Sequence, residues 1–278
     1  MSENSAGTDT RELYQASAFA EWVESFDAVT EHAIEQYQHH GFLAIHNAFS
    51  AEELQSAREA LARLVNGETD GFTNIQFEAA VAGHITELSP EDRMDSVRKL
   101  MYFTEFETPL DALAHHPKLQ SILARILGDV PVLFQDMALL KPPMVGGEKP
   151  WHQDLAYFNL PISAKVVGVW IALDPATPQN GCMHVLPGRQ KAGPIAHFKR
   201  RDWQICDNET SGLGCVAVPL EPGGCLLFDG LLPHGTPPNT TQQRRRALQF
   251  HFKGAKQQGV SEEERLAVFG GEGRGVEC

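Results

Sequence analysis

The sequence predicts an α+β chain that is mainly β: a double-stranded β-helix (jelly-roll, cupin-like) core with N-terminal helices packed on one of its sheets. Two observations carry that expectation. Helix start signals and helical apolar spacing crowd into the part before residue 130. After it come short runs rich in Val, Leu and Phe, punctuated by Gly, Pro and Asn, with no helical period of useful length until near the C-terminus. Strands that do not alternate with helices argue for an antiparallel sandwich or barrel over a parallel sheet.

The elements follow in order. Residues 1–12 are polar and predict a disordered tail. From Ala18 to His40 the apolar residues Phe19, Trp22, Val23 and Phe26, then Val29, Ala33, Ile34 and Tyr37, have helical spacing. "GFLAIHNAF", from Gly41 to Phe49, predicts a short strand. Ser50 with Glu53 forms a capping box that opens a helix through about Val65. Residues 66–88 are rich in Gly and Thr and predict a long loop, suited to a lid. "SPED" at Ser89 and "TPLD" at Thr108 each offer an N-cap, a Pro at N1 and an acid at N3, and a further helix runs from Pro117 to Gly128. "VPVLFQDMALL", "KVVGVWIAL", "CMHVL", "GCVAVPL", "GGCLLF" and "RALQFHF" then predict strands. With no linker or repeat, residues 13–278 read as a single unit: 13–130 mostly helical, 131–253 the jelly-roll core, 254–278 a C-terminal extension.

Composition narrows the function classes. The 278 residues are 42% apolar and 21% charged, as in soluble globular enzymes. A formal net charge of −13 argues against a nucleic-acid or anionic-membrane partner. No apolar run approaches membrane-spanning length, and the polar start "MSENSAGTDTREL" has no apolar h-region. Cys182, Cys206, Cys215, Cys225 and Cys278 are odd in number and scattered, which argues against a disulfide framework and fits a reducing cytoplasm.

The chemistry concentrates in "KPWHQDLAYF". A strand projects residues i and i+2 to one face, so His152 and Asp154 can chelate together. Alone, that pattern is weak. His234, in "LLPHGTPPN", follows an apolar strand and is the candidate third ligand. In "RRRALQFHF" one face carries Arg245, Ala247, Gln249 and His251, the other Leu248, Phe250 and Phe252. The first face turned inward would bury Arg245, where a guanidinium calls for a carboxylate. Two His and one carboxylate with open positions is the facial set of non-haem Fe(II) oxygenases, although zinc also accepts His and Asp. A 2-oxo acid chelating that metal leaves a distal carboxylate for the arginine, which a zinc site would leave unexplained. His184 and His251 are rival ligands; the first reads as a core histidine and the second as too deep in the core for the metal.

At these motifs the chain resembles the phytanoyl-CoA dioxygenase family of Fe(II)- and 2-oxoglutarate-dependent oxygenases. The matching stretches are "WHQDLAYF", "VGVWIALDPATPQNGCMHVLPG", "PGGCLLFDGLLPHGTPPN" and "RRRALQFHF", together with the opening "GFLAIHNAFSAEEL". The resemblance implies that His152, Asp154 and His234 bind Fe(II), and that Arg245 pairs with the distal carboxylate of 2-oxoglutarate, joined by Thr236. It puts Trp170 and Met137 at cosubstrate positions, with Gln135 on the face of Met137 and Lys99 matching a family lysine across a gap. It implies hydroxylation of a small molecule by O2, with 2-oxoglutarate leaving as succinate and CO2. Asp154 stands where related halogenases have Gly or Ala, which favours hydroxylation. Tyr157 and Phe158 are candidates for the substrate pocket. Arg200 and Arg201, in the basic stretch "HFKRRDWQICD", are candidates to meet an anionic substrate. The alternative is a Zn- or Mn-dependent cupin-like hydrolase or isomerase using the same His/Asp/His site.

Overall fold

The computed structural model describes residues 10–78 and 85–271. Residues 1–9 of the expected tail lie outside these, and Thr10–Tyr14 forms a 3-10 turn. Two short strands follow, β1 (Ala16–Phe19) and β2 (Trp22–Val23). Thr30 then caps α1 (Glu31–His40) by accepting a hydrogen bond from the Ala33 amide. The helix expected from Ala18 is thus limited to its C-terminal part. Phe19 and Trp22 imitate a helical stripe but are 64% and 54% exposed, and the backbone of β1 pairs in parallel with Cys215–Ala217 instead. Tertiary pairing overrides the local period here.

After β3 (Phe42–Ile45) comes α2 (Ala51–Asn66), opened by the Ser50/Glu53 capping box and closed by Gly67 at φ +73°. The segment expected to be a loop contains a strand, β4 (Ile75–Phe77), and its residues 79–84 lie outside the described residues. Ser89 caps α3 (Pro90–Met94), and β5 (Val97–Met101) pairs with β4. The cap of α4 (Thr108–Ala114) is Glu107, not Thr108, and its side chain makes no capping bond. The Glu107 carboxylate accepts from Arg63 and Thr69 instead. Then α5 (Pro117–Leu127) ends at Gly128.

The remaining elements are β6 (Pro131–Lys141), β7 (Lys149–His152), β8 (Val166–Ala172), β9 (Met183–Val185), β10 (His197–Lys199), β11 (Trp203–Ile205), α6 (Asp207–Thr210), β12 (Cys215–Val218), β13 (Cys225–Asp229), β14 (His234–Thr236), β15 (Arg245–Gly254) and α7 (Glu262–Phe269). With the earlier strands they build two large sheets, one ordered β1-β12-β9-β14-β7 and the other β2-β3-β13-β8-β15-β6-β5-β4, while β10 and β11 pair as a separate two-stranded sheet. The architecture is the mainly β jelly-roll of the sequence expectation.

Alternation along the strands sorts the core into layers. On β8 and β15, Val167, Val169, Ile171, Leu248, Phe250 and Phe252 pack against α1, α2, α4 and α5 in one continuous cluster. Trp170, Ala172 and Ala247 face the other way and meet Met183, Val185 and Ala217 of the smaller sheet. The helices therefore cover the outer face of the larger sheet and leave its inner face for a cavity. Cys182, Cys215 and Cys225 are buried free thiols, whereas Cys206 is disulfide-bonded, a departure from the reduced set expected of all the cysteines. Among the described residues no helix is long and apolar enough to cross a membrane.

Candidate active site

Pairing between β14 and β7 sets His234 directly opposite His152, with their rings 4.2 Å apart. The strand expected to carry both His152 and Asp154 stops at His152, and Asp154 opens a 3-10 turn, Asp154–Tyr157. The side-chain alternation survives because Gln153 keeps an extended backbone (φ −114°, ψ 128°). Gln153 points away and is locked there: its side-chain amide donates to the Gly193 and Leu231 carbonyls and accepts from the Ile195 amide. His152 and Asp154 are thereby forced to the same side.

Asp154 Oδ1 lies 3.3 Å from His152 Nε2 and 3.5 Å from His234 Nε2. The ligand atoms of all three lie within 4.8 Å of one another, and all three residues are buried. Those separations suit one ion bonded at roughly 2.1 Å. Each histidine directs Nδ1 to a backbone carbonyl two residues back, at 2.8 Å to Pro150 and 2.9 Å to Leu232. A carbonyl only accepts, so Nδ1 carries the proton and Nε2 offers its lone pair to the shared space. Burial, with the neighbouring His234 and Lys149, pushes the His152 pKa down to about 3, so the ring is neutral at physiological pH. Burial alone would raise the Asp154 pKa, but the His234 and His251 imidazoles hold it well below the usual carboxylate range.

The same residues open onto a cavity of about 370 Å³. Arg245 lies in its wall, 2% exposed, with its guanidinium 5.4 Å from the Trp170 ring centroid. Its Nη1 donates to the Leu139 carbonyl at 2.9 Å, and its Nε is buried without a partner. Burial pulls its pKa down to about 10, which leaves it cationic. A buried, under-satisfied guanidinium facing a cavity is suited to a ligand carboxylate. The donor set and this orphaned nitrogen fit both a divalent metal and an anionic cosubstrate.

The family model described as phytanoyl-CoA dioxygenase (PhyH) matches residues 37–247. The chain belongs to the phytanoyl-CoA dioxygenase family. It is accordingly an Fe(II)- and 2-oxoglutarate-dependent oxygenase. Phytanoyl-CoA dioxygenase domain-containing protein 1 of Danio rerio is 24% identical over 81% of this chain and 90% of its own length. The peroxisomal phytanoyl-CoA dioxygenase of Mus musculus is 31% identical over 78% of this chain and 66% of its own length. Among solved structures, EvdO2 of Micromonospora carbonacea var. aurantiaca complexed with 2-oxoglutarate superposes with a TM-score of 0.64 at 25% identity, covering 86% of this chain and 96% of that one. The apoform of EctD from S. alaskensis, at 20% identity, shares the fold with a TM-score of 0.69 over 88% of this chain and 83% of its own.

In this phytanoyl-CoA dioxygenase family member, the cavity brings together most of the residues singled out in the sequence. Met137, Gln135, Lys99, Trp170, Thr236, Tyr157 and Phe158 all line it with the triad and Arg245. Arg200 and Arg201 do not. Arg201 is tied by Glu148 at 2.9 Å and by both oxygens of Asp207 at 2.7 and 2.8 Å, so it braces the β10–β11 turn and does not face the cavity. The cations that do line it beside Arg245 are Arg98, Lys99, Lys141 and Lys149. Lys141 is the register partner of Arg245 across β6 and β15, and burial followed by the Arg245 charge drives its pKa well below the usual lysine range. The sequence analysis does not single it out, although Lys141 falls on the alternation of Gln135 and Met137. His251 sits closer to the metal-ligating group than expected: its Nε2 is 2.7 Å from Asp154 Oδ2.

Proposed function

We propose that His152, Asp154 and His234 are the protein ligands of Fe(II), and that Arg245 and Thr236 receive the distal carboxylate of 2-oxoglutarate. The observation that carries this is Arg245: a buried cation with no carboxylate partner among the described residues, lining the same cavity as a carboxylate and two histidines that turn Nε2 inward. A zinc or manganese hydrolase could use the same three ligands, but it gives that arginine no task.

Each residue then has a physical role. The backbone carbonyls of Pro150 and Leu232 hold the histidine rings with Nε2 inward. Met137, Trp170 and Gln135 form the cosubstrate wall, and Lys99, from the neighbouring β5, stands beside it. Tyr157 and Phe158 close the substrate side and keep water out. Iron and 2-oxoglutarate, when bound, would activate dioxygen, the oxidant, for C–H hydroxylation: one oxygen atom goes to the substrate and the other to succinate, with carbon dioxide released. At about 370 Å³ the cavity has room for the cosubstrate and a small substrate, or for the reacting end of a larger one. If the substrate is anionic, Arg98 and Lys99 are placed to meet it, not Arg200 and Arg201. Residues 13–278 act as one unit in this reading, supported by β1 and β2, which carry the N-terminal segment into both sheets. A cytoplasmic location belongs to the same reading; the buried free thiols support it and the disulfide at Cys206 weighs against it.

Turnover tests the proposal. Iron-loaded protein given 2-oxoglutarate and oxygen should release succinate, and Asp154→Ala should not. Wild-type protein that binds iron yet never consumes 2-oxoglutarate, with any candidate substrate, overturns it.

A further inference from the structure

The inner face of β15 meets Asp154, which lies just past the end of β7 of the opposite sheet. Gln249 Nε2 donates to Asp154 Oδ2 at 3.2 Å, and His251 Nε2 lies 2.7 Å from the same oxygen. Gln249 Nε2 also lies 3.1 Å from His251 Nε2 as the two nitrogens converge on that oxygen; an ionised carboxylate only accepts, so we assign the His251 proton to Nε2. Oδ1, by contrast, is turned toward His152 and His234. The two carboxylate oxygens are thus divided between two sets of partners.

His251 is costly as a packing residue. It is fully buried among the rings of Phe134, Phe158 and Phe228, with centroids at 6.1, 4.9 and 6.5 Å. Among the described residues its Nδ1 has no hydrogen-bond partner. The other buried histidines behave differently. His152, His184, His197 and His234 each direct Nδ1 to a carbonyl two residues earlier, at 2.8, 3.2, 2.8 and 2.9 Å. His251 forgoes that bond and keeps the one to Asp154. A buried, half-satisfied imidazole costs free energy that an apolar side chain would not.

We infer that Gln249 and His251 are positioning residues that occupy Oδ2 of Asp154 and so restrict this carboxylate to one metal-facing oxygen. The inference rests on the triad being an iron site. A carboxylate with both oxygens free can chelate a metal bidentately. With two histidines that fills an extra position and leaves too few for a bidentate 2-oxo acid and dioxygen together. Two N–H donors on Oδ2 prevent this and fix the carboxylate plane.

The test uses Co(II) as a spectroscopic probe in the full-length, metal-free protein. Wild type, His251→Leu, Gln249→Leu and His251→Gln are titrated with Co(II) and followed by visible absorption. Thermal unfolding of each metal-free variant checks folding. His251→Leu and Gln249→Leu should bind Co(II) about 10- to 100-fold more weakly, with altered band position and intensity. His251→Gln, which returns an N–H donor near the same point, should recover much of both. Folded leucine variants with wild-type affinity and spectrum overturn the inference, as does weaker binding with an unchanged spectrum. If His251→Leu does not fold, Gln249→Leu decides. Wild-type protein that binds no Co(II) refutes the iron-site reading itself, a result distinct from either.

Discussion

A guanidinium that is 2% exposed and lacks a carboxylate costs free energy in the resting protein. At Arg245 the Leu139 carbonyl and the Trp170 ring offset part of that cost, and in the proposed reading the cosubstrate carboxylate offsets the rest. Arg245→Met should therefore separate binding from stability. Affinity for 2-oxoglutarate, read by equilibrium dialysis, should fall by roughly 30-fold or more, since truncating a buried charge partner costs about 2 kcal/mol or more. The thermal midpoint of the ligand-free protein should hold or rise. A lower midpoint with intact 2-oxoglutarate binding would make Arg245 a structural residue. His197 supports a pH prediction at a residue that is not itself a candidate ligand. Burial lowers its pKa from 6.5 to about 4, and its Nε2 accepts from the backbone N–H of Gln153, the residue between the chelating pair. The unfolded chain takes up a proton near pH 6.5, which the folded chain refuses until about pH 4. The stabilisation is thus complete above the unfolded pKa and is lost, by up to roughly 3 kcal/mol, as pH falls through that window. His152, lowered to about 3, adds to the same trend. Thermal midpoints measured from pH 7 down to 4.5 should fall in wild type and fall less steeply in His197→Gln, which keeps an acceptor but takes no proton.

At the scale of elements, β8 transmits packing to the site. Gly168 is tolerated there because the Phe228 ring lies over it; an added Cβ would overlap that ring. Phe228 in turn lies 4.6 Å from the His234 ring. Gly168→Ala should destabilise the protein by about 1–3 kcal/mol in urea unfolding and weaken metal binding through the displaced Phe228. Unchanged metal affinity in a destabilised variant would disconnect the two. The elements also show what was legible in the sequence. Strands β6, β8, β9, β12, β13 and β15 each coincide with an apolar run, because burial of both faces writes itself into composition. The facing of β15 was legible too, since Arg245, Gln249 and His251 must alternate with Phe250 and Phe252. What strand period cannot reveal is which residue lies across the sandwich. The bond from His251 to Asp154 joins residues 97 positions apart, so His251 read as merely deep. Local pattern likewise misled at Phe19 and Trp22, where parallel pairing of β1 with β12 and of β2 with β3 replaced the helix.

Over the whole molecule, the layers explain why the site exists where it does. Helices α1, α2, α4 and α5 seal one face of the larger sheet with apolar contacts. The inner face is then free to carry polar residues, sheltered from water by the smaller sheet. That His152, Asp154, His234 and Arg245 come together was legible because the proposed metal and carboxylate each demand particular residue types at particular strand positions. The substrate was not, because a mixed wall of Gln76, Glu78, Arg98 and Asp202 satisfies no single chemical template. The central claim is that metal and 2-oxo acid meet at His152, Asp154 and His234. Its most direct test is an anaerobic titration of metal-free protein with Fe(II) and then 2-oxoglutarate, followed by visible absorption. A weak charge-transfer band that requires both additions, and is missing in His152→Ala, is the predicted result. Absence of the band in wild-type protein, with tight zinc binding in its place, would contradict the account and favour the hydrolase or isomerase.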